Sequence, residues 1–315
     1  MPALKLKAVL GSRPVIYEIV PPRKDTSRFE TDLRGVEEVL HDQRIDAVNI
    51  PELINRRETR IGVTYSPVTI LAEEYALLIQ KYKEPIVNMI APRMGREEFD
   101  QRVQRVTGEY GIDNLVIVGK ERHDDGLPGP TVSEALEVVR EHRREGTTVG
   151  GVCIFERNGK VDSSYQTKSP KLDEPERVWI KASLGCDFVT SQINFEPGPA
   201  IRFLSTYDKL CRKTGVKPLT VFISLTTVPS TRIMSLLEGL DVRIAPSTKK
   251  NIEQSVDMGR ESLKVAAEAL RRIVTEVEKN DVEVPIGLHV EQVGVNNSEL
   301  SMELLEATYG VIKRG

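Results

Sequence analysis

Short apolar runs rich in Val and Ile recur along this chain at intervals that leave room for one amphipathic helix and its loops, and this recurrence constrains the fold more than any other feature. Eight runs stand out, at residues 15–20, 45–50, 86–91, 115–118, 149–154, 188–193, 219–225 and 286–290. Their starts fall about 30 to 40 residues apart, the length of a strand, a helix and two loops, except for one gap of about 67 before the last. The segments between them carry helix punctuation. In TVSEALEVVREHRREG, Thr131 and Glu134 form a capping box, Val132, Ala135, Leu136 and Val139 make an apolar stripe, and Gly146 supplies a stop. Phe99, Val103, Val106 and Tyr110 share one face of an earlier helix, and Asp173 and Glu176 flank Pro175 at the start of a later one.

Eight strand–helix units predict an α/β chain folded as a (β/α)8 TIM barrel, one catalytic domain over 1–315. In the long gap, Ile252, Val256, Leu263, Ala267, Leu270, Val274 and Val277 keep helical spacing, which predicts an additional long helix over about 251–279, near the C-terminus. An open doubly wound sheet is the competitor, but the first run leads into VPPRKD, and no G-x-G-x-x-G follows any strand. There is no Walker loop, no H-E-x-x-H and no His/Cys/Asp cluster of metal-ligand spacing, so no metal is expected.

The charges nearly cancel, 44 Lys and Arg against 47 Asp and Glu, which argues against nucleic acid as a partner. No stretch approaches the roughly 20 apolar residues that span a bilayer, and no signal-peptide core precedes Arg13 and Pro14, so a cytoplasmic location away from membranes is expected. Cys153, Cys186 and Cys211 are odd in number and widely spaced, as reduced core thiols would be.

A barrel builds its site from the loops at the C-terminal ends of its strands. Glu18 stands inside the first apolar run, alternating with Ile16 and Val20. Burial there would disfavour its charged form and hold a proton ready for donation. A structural carboxylate paired with Arg23 or with a lysine of another strand fits the same pattern equally well. The other polar residues at strand ends are Asn49, Glu52, Asn88, Lys120, Glu121, Glu156, Gln192, Asn194, His289 and Glu291. Each alone is the kind of residue that caps helices or satisfies backbone groups; their concentration points to a site. His289, between Leu288 and Val290, reads as a hydrogen-bonded core histidine or a site residue. His41, His123 and His142 read as solvated, the charged run 141–146 as a solvated helix end, and 121–131 as either a mobile loop or an ordinary connection.

Taken in order, several strand ends resemble the methylenetetrahydrofolate reductases. YEIVPPR is similar to that family's opening glutamate strand, IDAVNIPE to a second strand among its relatives, GGVCIFE to strand five, GCDFVTSQINFEP to the Thr-Gln-x-x-Phe-Asp strand six, and IGLHVE to the Gly-x-His strand eight. The resemblance implies a (β/α)8 barrel that reduces 5,10-methylenetetrahydrofolate to 5-methyltetrahydrofolate with NADH or NADPH. It makes Glu18 the acid that protonates the folate and opens its five-membered ring, and Gln192 a pterin contact. Asn49, Glu156 and His289 complete the substrate side.

This chain departs from the flavin-containing members. Where they carry Leu-Arg-Gly-Asp on strand four it has Ile117, Val118, Gly119 and Lys120, and Asn88 stands where strand three usually offers a histidine. Val63-Thr64-Tyr65 leads into Ser66-Pro67 with no Gly-rich turn. FAD is therefore the poorer fit. VIVGKERHDDGLPGP and TVFISLTTVP look more like the actinobacterial branch that works without flavin, which implies hydride transfer directly from nicotinamide. Asn88, Gly119 and Lys120 then fall on the cofactor side, Lys120 as a contact for a phosphate or for the folate glutamate tail. Two other readings remain open, a folate- or pterin-dependent methyltransferase and a non-catalytic barrel subunit. The long helix leaves self-association open as well.

Overall fold

In a computed structural model of the chain, residues 5–22, 36–59, 62–67, 70–119, 127–157, 172–294 and 297–314 are described. Helix α1 (Leu6–Val9) precedes strand β1 (Val15–Glu18). Residues 36–41 are helical (α2) and lead to β2 (Ala47–Ile50). An antiparallel hairpin follows, β3 (Ile54–Thr59) with β4 (Gly62–Pro67), and then α3 (Ala72–Ile79), β5 (Pro85–Ile90) and α4 (Arg96–Gln104). Next come β6 (Asn114–Val118), α5 (Val132–Glu141), β7 (Thr148–Cys153), α6 (Glu174–Ser183), β8 (Phe188–Ser191), α7 (Pro197–Thr214) and β9 (Thr220–Leu225). Three helices, α8 (Thr231–Gly239), α9 (Pro246–Gln254) and α10 (Met258–Lys279), separate β9 from β10 (Ile286–Val290), and α11 (Ser298–Lys313) ends the order.

β1, β2 and β5 to β10 close into a parallel eight-stranded barrel in chain order, with β10 returning to β1. Every predicted apolar run supplies one barrel strand, because parallel strands are covered on both faces and need apolar residues at successive positions. Side chains alternate across each strand. Val15, Tyr17, Val48, Val87 and Leu115 point out into the main core under the helices. Ile16, Ala47, Ile86, Val116, Phe188 and Phe222 point in, and with Leu6 and Val9 of α1 they form a second apolar cluster. α1 is held under the N-terminal end of the barrel, where Thr220 donates to the Leu10 carbonyl (2.6 Å) and Lys5 pairs with Asp113 (2.9 Å).

The plug is tight. A Cβ on Gly150 would stand 2.4 Å from the Phe188 ring, and one on Gly287 would stand 2.7 Å from that of Phe222. Two residues further along six of the strands the same alternation sets Glu18, Asn49, Asn88, Thr190, Ser224 and His289 above the plug, with Val118 and Val152 at the equivalent positions of β6 and β7. The apolar floor thus dictates the position of a polar layer.

Both capping boxes form: Thr131 N–H donates to Glu134 (2.7 Å) and Asp173 N–H to Glu176 (2.8 Å). Helix α5 ends at Glu141, however, and Gly146 (φ 96°) serves the turn into β7. The run 141–146 is more than a solvated end, since Arg143 donates to the Gly185 carbonyl (2.8 Å) and to Asp187 (2.6 Å). The helix expected over about 251–279 is broken into α9 and α10. Asp257 caps α10 by accepting from Arg260 N–H (2.9 Å), and Val256 faces solvent instead of joining the apolar stripe. No described helix is long and apolar enough to cross a membrane, and all three cysteines are free and buried.

Candidate active site

Glu18 is the last residue of β1. Its register partner on β2 is Asn49, and because Tyr17 pairs with Val290 on β10, the next residue there, Glu291, stands on its other side. Asn49 Nδ2 donates to Glu18 Oε2 at 3.4 Å. Among the described residues no Lys or Arg pairs with Glu18. Burial, and then the neighbouring Glu291 charge, push the Glu18 carboxyl well above the usual carboxylate range, and the Asn49 hydrogen bond only partly opposes them. Burial likewise raises Glu291 to about 7, against the pull of a Ser224 hydrogen bond. Glu18 is therefore shifted toward its protonated form.

His289 is buried beside this pair. Its Nδ1 lies 2.9 Å from Ser224 Oγ and 3.4 Å from Glu291 Oε1, and burial lowers its pKa to about 3, so the ring is neutral. Its Nε2 has no protein partner among the described residues, and the same holds for Asn49 Oδ1, Asn88 Oδ1 and Asn194 Nδ2. Buried polar atoms are ordinarily paired, so several unpaired ones in and beside one layer mark the face where a ligand would complete the hydrogen bonding.

The remaining expected residues fall differently. Gln192 follows β8, but its amide is partly engaged: Nε2 donates to the Leu240 carbonyl (3.1 Å) and Oε1 accepts from Ile193 N–H (3.0 Å), leaving one N–H and one lone pair. Glu156, half-buried after β7, is raised by burial against a bond from its own backbone and the charges of Arg243 and Arg202. Gly119 runs so close to α5 that a Cβ would stand 2.7 Å from Val132 Cγ2. Lys120, Glu121, His123 and Arg23 lie outside the described residues.

Glu52 is not a mouth acid. It pairs with buried Arg102 (2.8 Å) and accepts Ile90 N–H (2.7 Å), bracing the ends of β2 and β5. His142 is bound as well, 2.5 Å from Asp100. Sequence reading missed Ser224 and Thr190. The alternation Phe188/Thr190 and Phe222/Ser224 is the signal that finds them. Among the described residues no three His, Cys, Asp or Glu side chains gather to hold a metal.

The buried imidazole sets a pH dependence of stability. Its folded pKa lies below the ordinary 6.5, so the folded protein binds fewer protons than the unfolded chain, and stability is lost as pH falls from 6.5 towards 3. The raised carboxyls act oppositely over their own range, so the comparison needs a variant. Between pH 6.5 and 4.5 His289→Gln should lose less stability than the wild type, by up to about 1.4 kcal/mol per pH unit in urea unfolding. Parallel losses in the two proteins would show that this ring charges freely.

No protein-family model and no curated protein matches the chain. Solved structures do match. An uncharacterized protein from Clostridium thermocellum that binds two copies of 5-methyl-5,6,7,8-tetrahydrofolic acid superposes with a TM-score of 0.74 at 19% identity, over 96% of this chain and 98% of that one. An F420-dependent secondary alcohol dehydrogenase, in complex with an F420–acetone adduct, gives 0.52 at 10% identity over 94% and 99%. The spore cortex-lytic enzyme SleL of Bacillus cereus gives 0.50 at 10% over 93% and 74%. At such identities the likeness is one of fold.

Proposed function

We propose that the C-terminal mouth of this barrel binds a reduced folate, and that the protein reduces 5,10-methylenetetrahydrofolate to 5-methyltetrahydrofolate with NADH or NADPH as the hydride donor. The observation that carries this reading is the cation-free Glu18 carboxyl, held by Asn49 in a layer of amide and imidazole atoms without protein partners among the described residues, above an apolar floor. A pterin is a flat ring with amino, amide and carbonyl groups along one edge. Asn49 Oδ1 is an acceptor for its N–H groups, and Gln192 keeps one donor and one acceptor for the same purpose. The folate bound by the Clostridium thermocellum protein supports the same ligand class here.

Glu18 performs the acid step. Its proton passes to the folate nitrogen that leaves the methylene carbon, the carbon–nitrogen bond breaks, and the five-membered ring opens to an iminium that can accept hydride. A bound nicotinamide would supply that hydride. The described residues hold no Gly-rich dinucleotide turn; Asn88, whose orphaned Oδ1 suits a carboxamide N–H, is the residue placed to meet the ring, whereas Gly119, one residue past β6, faces α5. The closed barrel brings both ligands to one mouth, which is the protein's contribution through orientation.

The test is an anaerobic assay on protein whose visible spectrum has been recorded first. The expected outcome is a colourless protein that oxidises NADH or NADPH only when methylenetetrahydrofolate is present, yielding 5-methyltetrahydrofolate. Yellow protein whose activity follows bound FAD would overturn direct transfer. Folate binding without any nicotinamide or reduced-deazaflavin oxidation would turn the reading to pterin-dependent methyl transfer.

A further inference from the structure

We propose that Glu291 acts through Glu18: the two inward-facing carboxyls at adjacent positions of β10 and β1 share one proton, Ser224 and His289 hold Glu291 in place, and the pair keeps Glu18 supplied with the proton it donates. The proposal rests on the reductase reading for its catalytic consequence, and on geometry for the pair itself.

Ile16 and His289 are register partners and both face inward, so the next inward residues, Glu18 and Glu291, stand at one level across the seam where the barrel closes. On β10, Glu291 sits 3.4 Å from His289 Nδ1, and Ser224 reaches that nitrogen from β9 at 2.9 Å. From β2, Asn49 holds Glu18. Among the described residues the polar groups facing the pair are thus Asn49, Ser224 and the neutral His289, and no Lys or Arg there pairs with either carboxyl. Two adjacent carboxylates without a cation repel in a buried mouth, so the second proton leaves only at a raised pH. Burial and mutual repulsion both act in that direction. In turnover the Glu18 O–H bond breaks, its proton goes to the departing folate nitrogen, and the pair takes one proton from water before the next cycle.

A merely structural Glu291 would leave the titration of Glu18 where it is. In Glu291→Gln the alkaline limb of the kcat/KM profile should move at least about one unit to lower pH, a loss of roughly tenfold or more on that limb with little change on the acid side. Glu291→Asp should restore most of the shift. The second measurement needs no substrate: infrared difference titration of the free protein should show a protonated carboxyl band whose midpoint falls in Glu291→Gln, while Glu18→Gln leaves only the single Glu291 carboxyl to titrate. An unmoved midpoint together with an unmoved rate profile overturns the proposal. A shifted band in a protein that oxidises no nicotinamide leaves the shared proton standing and removes the reductase reading instead.

Discussion

On the reductase reading, Glu18→Gln should lower the methylenetetrahydrofolate-dependent rate by on the order of 100-fold or more, with the fold intact. The substitution isolates the proton. A glutamine oxygen still accepts from Asn49 Nδ2, the side-chain volume is conserved, and the apolar floor below is untouched. What disappears is the acidic hydrogen and, above the carboxyl's own pKa, the repulsion between Glu18 and Glu291. A carboxyl whose folded pKa is raised contributes stability that is full below its unfolded value and is lost as pH rises through the folded value. The variant lacks that loss, so from neutral pH upward it should equal or exceed the wild type in denaturant midpoint while its rate collapses. Opposite movement of activity and stability is the mark of a residue kept for chemistry. A variant within a few-fold of wild-type rate would leave Glu18 a structural group and favour a non-catalytic barrel subunit.

Much of this architecture was legible because a closed parallel barrel writes itself as apolar runs. All eight runs became strands, and Glu18 was conspicuous as the charge inside the first of them. Alternation did the rest for Asn49 and Asn88, whose inward direction follows from Ala47 and Ile86 two residues earlier, and for His289, which stands between the outward Leu288 and Val290. The failures share a cause, which is pairing that no local pattern encodes. The β3–β4 hairpin is held by its ladder from Ile54↔Pro67 to Thr59↔Gly62, and Arg56, Arg57 and Glu58 within it break any apolar signature. The break between α9 and α10 turns on Asp257 as a cap, inside a spacing that reads as continuous helix. Gln192 was expected as a pterin contact; that the Leu240 carbonyl, 48 residues on, takes one of its two N–H groups is pairing of the same long-range kind. Glu52 read as one more strand-end acid because its partners, Arg102 and Ile90, lie far along the chain.

That misreading leads to the largest stability effect expected here. Arg102, on α4 and buried, lies between two carboxylates, donating to Glu73 of α3 at 2.9 and 2.7 Å and to Glu52 at 2.8 Å. Burial by itself would push the Glu73 carboxyl up; the Arg102 hydrogen bonds and charge outweigh it and hold it below the usual range. Arg102→Met leaves Glu52 and Glu73 buried without their cation and should cost about 3–5 kcal/mol in urea unfolding at pH 7. A depressed carboxylate contributes stability that is present above its unfolded pKa and lost as pH falls through the folded one, so the deficit should shrink on acidification below about pH 4.5. Adding Glu52→Gln and Glu73→Gln to Arg102→Met should recover much of the loss, because the penalty comes from stranded charges more than from the missing bonds. Glu52 also accepts Ile90 N–H at the end of β5, next to the strand that carries Asn49 and two residues after Asn88. The single variant should therefore weaken folate binding in calorimetry as well, through the spacing of two side chains it never touches. A cost below about 1 kcal/mol would mean that water reaches this triad and that the brace is an ordinary surface ion pair.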